Sequence, residues 1–338
     1  VDEREEFSLP ESADYPIQRL LELAAERERI IIQPHDFPDH DAIASAFGLW
    51  HLLQERGLSA EIAYRGQITR RELKTFITRL DMTVSHAADL SLEGDEGIIV
   101  VDGCPGNKNV SELPGEEIGV IDHHTVSKPD NVPFVDIRAE YGACSTIISE
   151  YYHQLGLSIT PAVATAFLVG LYTDTGSFTR GVHRADLQLL YECYGDADIQ
   201  FVSLMVRNKI QYQDLSFYHY MLEHLEKRGH AAYCHFPDGC DQNLLGILSD
   251  FLLSIQEIRF ALLSANNQSA INFSARNEDP DLHAAAIVQL VIGTEGAGGG
   301  HFHMAGGVIP RRAGTYDEEE RRERFFATIR KWKSHSAG

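Results

Sequence analysis

Apolar residues follow two rhythms along this chain. Ile17, Leu20, Leu21 and Leu23 give an apolar side to a helical lead-in that runs to about Arg29. Ile30-Ile31-Ile32 then forms an unbroken β-branched run, as in a strand buried on both faces. It empties into the turn-like Pro34-His35-Asp36-Phe37-Pro38-Asp39, after which residues 42–53 have helical composition. A second strand, Ile98-Ile99-Val100-Val101, ends in Asp102-Gly103, and a third, Ile118-Gly119-Val120-Ile121, ends in Asp122-His123-His124. Short apolar strands alternating with helices predict an α/β fold with a parallel sheet covered on both faces. Three strand ends deliver Asp or His into a loop, and in open α/β sheets sites are built at that edge.

Residues 200–228 read as two helical stretches ending in charge and Gly229, a connector. Alternation resumes at Ala231–Phe236, Phe260–Ser264 and Ala270–Ser274, followed by a helical Leu282–Ile292 and a Gly-rich loop. The tail Asp317–Trp332 is helix-like, with Phe325, Phe326, Ile329 and Trp332 on one side. No internal repeat interrupts this order.

Composition narrows the class. A chain of 338 residues can hold two domains, and 43% hydrophobic with 23% charged residues is ordinary for a soluble protein. No apolar run is long enough to span a bilayer, so no membrane partner is expected. The start Val-Asp-Glu-Arg-Glu-Glu is the opposite of a secretory leader, and Val1 in place of Met points to a processed or trimmed chain, which leaves a removed leader open. Five scattered cysteines without a C-x-x-C pair read as reduced thiols in a cytoplasmic protein. The 29 basic and 50 acidic residues give a net charge of −21, which argues against long duplex nucleic acid. A small anionic substrate is compatible with it, because bound metals can dominate a pocket. A homodimer is compatible too.

The candidate chemistry lies in four segments of the first half. His35-x-x-x-Asp39-x-Asp41 can converge on one loop, although alone it is explained as well by acidic caps on the following helix. Asp102, alone, is an ordinary turn residue before Gly103. Asp122-His123-His124 is a less common grouping and favours a site. Thr173-Asp174-Thr175-Gly176, after the apolar 166–171, would by itself be a helix-end turn. Together they bring two histidines and four aspartates, His35, Asp39, Asp41, Asp102, His123 and Asp174, to one sheet edge. Imidazole mixed with carboxylate suits Mn²⁺, Fe²⁺ or Zn²⁺, and the carboxylate majority shifts the choice toward Mn²⁺. Six ligands with four negative charges suit two ions, which can activate a water for in-line phosphoryl displacement. In the second half, Gly298-Gly299-Gly300-His301 offers backbone N–H groups and an imidazole to an anion, and Ser274-Ala275-Arg276 offers a hydroxyl and a guanidinium. A flexible turn and a surface arginine are the plainer alternatives.

These segments, in this order, resemble the DHH/DHHA1 phosphoesterases, in the stand-alone branch of nano-RNases and pApA or cyclic-dinucleotide phosphodiesterases. The resemblance runs from about residue 30 to 310. It implies a DHH metal-binding domain at 1–199, a helical connector at 200–228 and a smaller α/β DHHA1 substrate domain at 229–338, closing over a cleft. One metal would be held by His35, Asp39 and Asp102, the other by Asp41, Asp102, His123 and Asp174, with Asp102 bridging. Asp122 and His124 would be catalytic, His124 stabilising charge or protonating the leaving group. Ser274, Arg276, Gly299, Gly300 and His301 would bind the substrate. Two positions depart from the family pattern. Residue 40 is His where a small residue is usual, and would crowd or supplement the metals, and the glycine run is Gly-Ala-Gly-Gly-Gly.

The activity implied is Mn²⁺-dependent hydrolysis of short oligonucleotides or linear dinucleotides such as pApA and pGpG, extending to pAp or cyclic dinucleotides. The rival readings are an inorganic pyrophosphatase or polyphosphatase with the same ligands, and a non-catalytic dinucleotide-binding regulator. The regulator would be expected to have lost ligands, and all six are present.

Overall fold

A computed structural model describes residues 16–107, 109–126, 128–208, 210–311 and 317–336, with side chains as far as 332. It divides into two compact units, residues 1–207 and 208–338. The first part of the expected lead-in, residues 1–15, lies outside the described residues.

In the first unit the chain runs α1 (Pro16–Ala25), β1 (Ile30–Pro34), α2 (His40–Glu55), β2 (Ala60–Tyr64), α3 (Arg71–Arg79), β3 (Val84–His86), β4 (Gly97–Val101), β5 (Glu116–Asp122) and β6 (Val135–Ile137). Helices α4 (Cys144–Gln154), α5 (Pro161–Asp174), α6 (Arg184–Cys193) and α7 (Ile199–Arg207) follow. Among the described residues the six strands pair in parallel in the order β3-β2-β1-β4-β5-β6. The order turns between β1 and β4, whose ends are in register at Pro34 and Val101. That is the place where a parallel sheet opens a crevice beyond its carboxyl ends.

The strands' period of two sorts their side chains between two layers. Ile30, Ile32, Ile99, Val101, Ile118 and Ile121 join a core built with the helices, including Leu49, Ile147, Phe167 and Leu168. Ile31, Ile98, Val100 and Val120 point the other way, into a smaller cluster with Ala87, Cys104 and Val110. Both faces are therefore covered, the second by residues that lie in no α-helix.

The second unit runs α8 (Leu215–His224), β7 (Glu226–Arg228), β8 (Ala231–Phe236), α9 (Gln242–Leu253), β9 (Phe260–Asn266), β10 (Ala270–Asn277), α10 (Ala284–Ile292), β11 (Ala297–Gly300), β12 (Met304–Pro310) and α11 (Glu318–Ser336). Its sheet, in the order β11-β12-β10-β9-β8-β7, is antiparallel except for the β8–β9 pair. Ala231, Tyr233, Leu262 and Phe273 face α10 and α11, while Ala232, Cys234, Leu263 and Ala265 face α8 and α9.

Two sequence expectations change. The stretch 200–228 holds two helices, as read, but they are divided between the units: Phe201, Val202 and Met205 of α7 sit in the first unit's core, α8 packs on the second sheet, and Glu226–Arg228 is a strand. The Gly-rich segment is not a loop but the hairpin of β11 and β12. Two of its glycines are a packing requirement. A Cβ on Gly307 would lie 2.2 Å from Ile292 Cδ1, and one on Gly298 would lie 2.8 Å from Val288 Cγ1, so α10 can press on these strands only because they lack side chains.

Candidate metal centre

The carboxyl ends of β1, β4 and β5 and the last turn of α5 bring the six sequence-selected side chains together. Among the described residues, His35, Asp39 and Asp102 form one group whose candidate ligand atoms all lie within 4.8 Å of one another. Asp41, His123 and Asp174 form a second, and Asp102, His123 and His124 a third, so Asp102 belongs to two groups.

Local structure explains each placement. Asp39 caps α2, its Oδ1 accepting from the N–H groups of Asp41 (3.0 Å) and Ala42 (3.1 Å). The capping role read from the sequence as an alternative is thus also fulfilled, by one oxygen of two. Asp41, in the first turn of α2, is fully buried and accepts from Cys144 N (2.6 Å), Ser145 N (3.2 Å) and the Ser145 hydroxyl. The N-terminus of α4 therefore grips this carboxylate, with aligned peptide dipoles favouring its charge. His123 Nδ1 donates to the Tyr141 carbonyl at 3.1 Å, which turns Nε2 toward Asp174 Oδ2 (3.1 Å) and Asp102 Oδ1 (3.4 Å). His35 Nε2 reaches Asp102 Oδ2 at 3.8 Å. His40 joins none of these groups, and its ring lies against Phe76, 5.5 Å between centroids.

Asp102 decides what the cluster can hold. It is 1% exposed, and neither of its carboxylate oxygens receives a hydrogen bond among the described residues. A buried carboxylate left so costs several kcal/mol, roughly, unless a cation meets it. Burial, then the charges of Asp41 and Asp39, push its carboxyl well above the ordinary range. Burial and Asp174 raise Asp41 to about 7. Burial also lowers His35, and although it opposes the shift, the Asp174 hydrogen bond holds His123 well above the usual imidazole range. Asp174 stays low despite burial, through the His123 hydrogen bond and the charges of His123, His124 and Arg180. Carboxylates pushed up by their own crowding, facing an imidazole Nε2, are the donor set that divalent cations fit.

His124 is placed differently. Its Nδ1 is 2.8 Å from Asp122 Oδ1, which also accepts from the His124 N–H at 3.1 Å. Asp122 is fully buried and the His124 side chain is 36% exposed, so the ring is steered from below and reachable from outside. Burial opposes it, but the His124 hydrogen bond keeps the Asp122 carboxyl low.

The second unit gathers the other selected residues at one end of its sheet. Arg276 pairs with Met304 across β10 and β12, Gly300 pairs with Ala305, and His301 N donates to Met304 O at 2.6 Å. Arg276 is 8% exposed, and Asp250 of α9 accepts from its Nε at 2.7 Å and from Nη2 at 3.4 Å. Ser274 Oγ accepts from Arg276 Nη1 (3.3 Å) and from the Ser249 hydroxyl (3.1 Å), so it supports the guanidinium. Gly299 is exposed, with open space where a Cβ would stand.

Sequence reasoning missed the layer behind the ligands. Asp186, fully buried, accepts from Gly142 N (2.9 Å), Thr146 Oγ1 (2.6 Å) and His183 N (2.6 Å), pinning the segment that presents Tyr141 O to His123 and the α4 N-terminus to Asp41. Ser145 in the first turn of α4 is of a residue type common at helix starts, while the reach of Asp186 over 44 residues had no signal in the sequence.

Comparison with known proteins settles the family. The DHH family N-terminal domain model matches residues 29–171, and the DHHA1 domain model matches residues 227–335. The chain belongs to the DHH/DHHA1 phosphoesterases. An uncharacterized protein of Methanocaldococcus jannaschii is 28% identical over 289 residues, 83% of this chain but 58% of its own length. A Mycoplasma genitalium protein named bifunctional oligoribonuclease and PAP phosphatase is 27% identical over 308 residues, 84% of this chain and 90% of that one. A probable manganese-dependent inorganic pyrophosphatase of Streptococcus pyogenes is 29% identical over 153 residues, 44% of this chain and 48% of its own. In fold, the chain is similar to an exopolyphosphatase-related protein from Bacteroides fragilis, with a TM-score of 0.79 at 20% identity over 98% of this chain and all of that one. Among the described residues no helix is long and apolar enough to cross a membrane.

Proposed function

We propose that this DHH/DHHA1 phosphoesterase hydrolyses short 5′-phosphorylated oligonucleotides and linear dinucleotides such as pApA and pGpG to nucleoside monophosphates, using two Mn²⁺ ions. The carrying observation is Asp102, a buried carboxylate without hydrogen bonds that stands in two ligand groups at once. His35, Asp39 and Asp102 would hold one ion, and Asp41, Asp102, His123 and Asp174 the other. Bound there, divalent ions supply Lewis acidity that activates water and offsets charge on the phosphoryl oxygens.

The chain's own residues do the rest. The α4 N-terminus and the Tyr141 carbonyl fix Asp41 and His123, so the ligands are set before substrate arrives. Asp122 holds His124 by Nδ1, leaving Nε2 to stabilise or protonate the leaving oxygen. Hydrolysis adds one water and breaks one bridging P–O bond per link. Substrate recognition is assigned to Arg276, Ser274, Gly299, Gly300 and His301, which share one end of the second sheet. The Mycoplasma relative, similar over both domains, supports a nucleotide substrate, whereas the pyrophosphatase likeness covers less than half of the chain.

A panel of pApA, pGpG, pAp, cyclic dinucleotides, longer oligonucleotides and pyrophosphate, each with Mn²⁺, tests the reading. Dinucleotides should turn over fastest, with rates falling steeply beyond a few nucleotides. Preference for pyrophosphate, or equal rates on long strands, contradicts it.

A further inference from the structure

Immediately after Asp174 the backbone adopts an uncommon path. Gly176, Ser177 and Phe178 have φ of 56°, 60° and 65°, three left-handed residues in a row, two of them not glycine. Such conformations are held only where the surroundings enforce them, and they gather at functional sites. Here Ser177 N donates to Tyr172 O at 2.7 Å and Phe178 N to Thr175 Oγ1 at 3.1 Å, while the Phe178 ring meets Tyr172 edge-on at 4.9 Å.

The effect of the turn is to bring Arg180 back beside Asp174. Thr179 N and Arg180 N both donate to Thr175 O, at 3.0 and 3.1 Å, and Arg180 Nε lies 3.4 Å from the Asp174 carbonyl. The guanidinium rests on Gly176, where a Cβ would come within 3.3 Å of Cζ and 3.4 Å of Nη1. Gly176 is thus required both for its φ and for the close approach of the arginine. The side chain is half-buried and backbone-anchored, beside the one metal-candidate residue that α5 supplies.

Four carboxylates and two divalent ions cancel in charge, so an anionic phosphodiester entering the centre meets no surplus of positive charge from the metals and their aspartates. A guanidinium at the rim supplies it, with a fork that matches two phosphate oxygens. We propose that Arg180 is a substrate-binding residue of the metal centre, gripping non-bridging oxygens of the phosphate under attack. This rests on the phosphoesterase reading of that centre.

The test uses the full chain loaded with Mn²⁺, with bound metal and the affinity for inorganic phosphate measured separately. Arg180→Ala should keep its Mn²⁺ while binding phosphate about 10- to 100-fold more weakly, the range for a lost charged hydrogen bond. Arg180→Gln keeps a donor for the Asp174 carbonyl but not the charge, and decides the matter if the alanine variant fails to fold. It should show the same loss of phosphate with the metal retained. Phosphate affinity equal to the parent's in a folded variant overturns the proposal, and so does a loss of phosphate matched by a loss of Mn²⁺, which would place the effect in Asp174. A parent that binds Mn²⁺ but no phosphate removes the reading of the centre and this inference together.

Discussion

Asp102 has a φ of 53°, a left-handed position that Asp tolerates better than most residues, at the end of a strand whose other members are all buried. The turn swings its carboxylate between the candidate ligands that follow β1 and those that follow β5 instead of letting it follow the strand. At this scale the sequence was informative where residue type and strand end coincide, since Asp or His directly after an apolar run can only enter the edge loops. It was silent about Tyr141, whose contribution is a backbone carbonyl, and about Asp186, whose partners come from elsewhere in the chain. The two histidines of the DHH triplet should behave differently. His124, with Nδ1 committed to Asp122 and its side chain 36% exposed, is the one proposed to serve substrate, so His124→Ala should retain metal and lose about 10²–10⁴-fold in turnover. Metal analysis beside kinetics checks this. Loss of an ion as ready as that in His123→Ala would assign both histidines to metal.

Among elements, the contact between α2 and α5 sets the tolerances of the centre. Gly170 lets α5 lie against the start of α2: a Cβ there would sit 2.6 Å from Asp41 Oδ1 and 2.7 Å from Ser145 Oγ. Neither neighbour can yield without moving a ligand or its support. Gly170→Ala should therefore fold but bind Mn²⁺ at least about tenfold more weakly, in the range found when residues supporting a ligand are disturbed. Calorimetric titration reads it, and parental affinity would show that α2 and α5 have slack. The same scale shows what patterning could and could not convey. Ile30–Ile32 and Ile98–Val101 were readable as strands because both faces are buried and every position is apolar. The β11–β12 hairpin was not, because its glycines have no side chains to alternate and the reason for Gly298 and Gly307 lies in Val288 and Ile292 of α10. The α7–α8 region gave two helical signals without saying that each belongs to a different core.

The described residues divide into two units, one around a parallel sheet and one around a mixed sheet, and each collects its own set of candidate residues. The α/β class, the order of motifs and the metal candidates were legible because strand ends and chemistry coincide. The cover on the second face of the first sheet was not, being built from residues of scattered spacing such as Ala87, Cys104 and Val110. With a net charge of −21, the chain can hold an anionic substrate only through local cations, the metal ions together with the guanidinium beside Asp174. The centre's occupancy is accordingly the most direct test of the account. Metal-free protein titrated calorimetrically with Mn²⁺ should take up two ions per chain, and folded Asp102→Asn should lose high-affinity binding at both positions. A parent that binds one ion or none, or an Asp102→Asn variant that still binds two as the parent does, would contradict it.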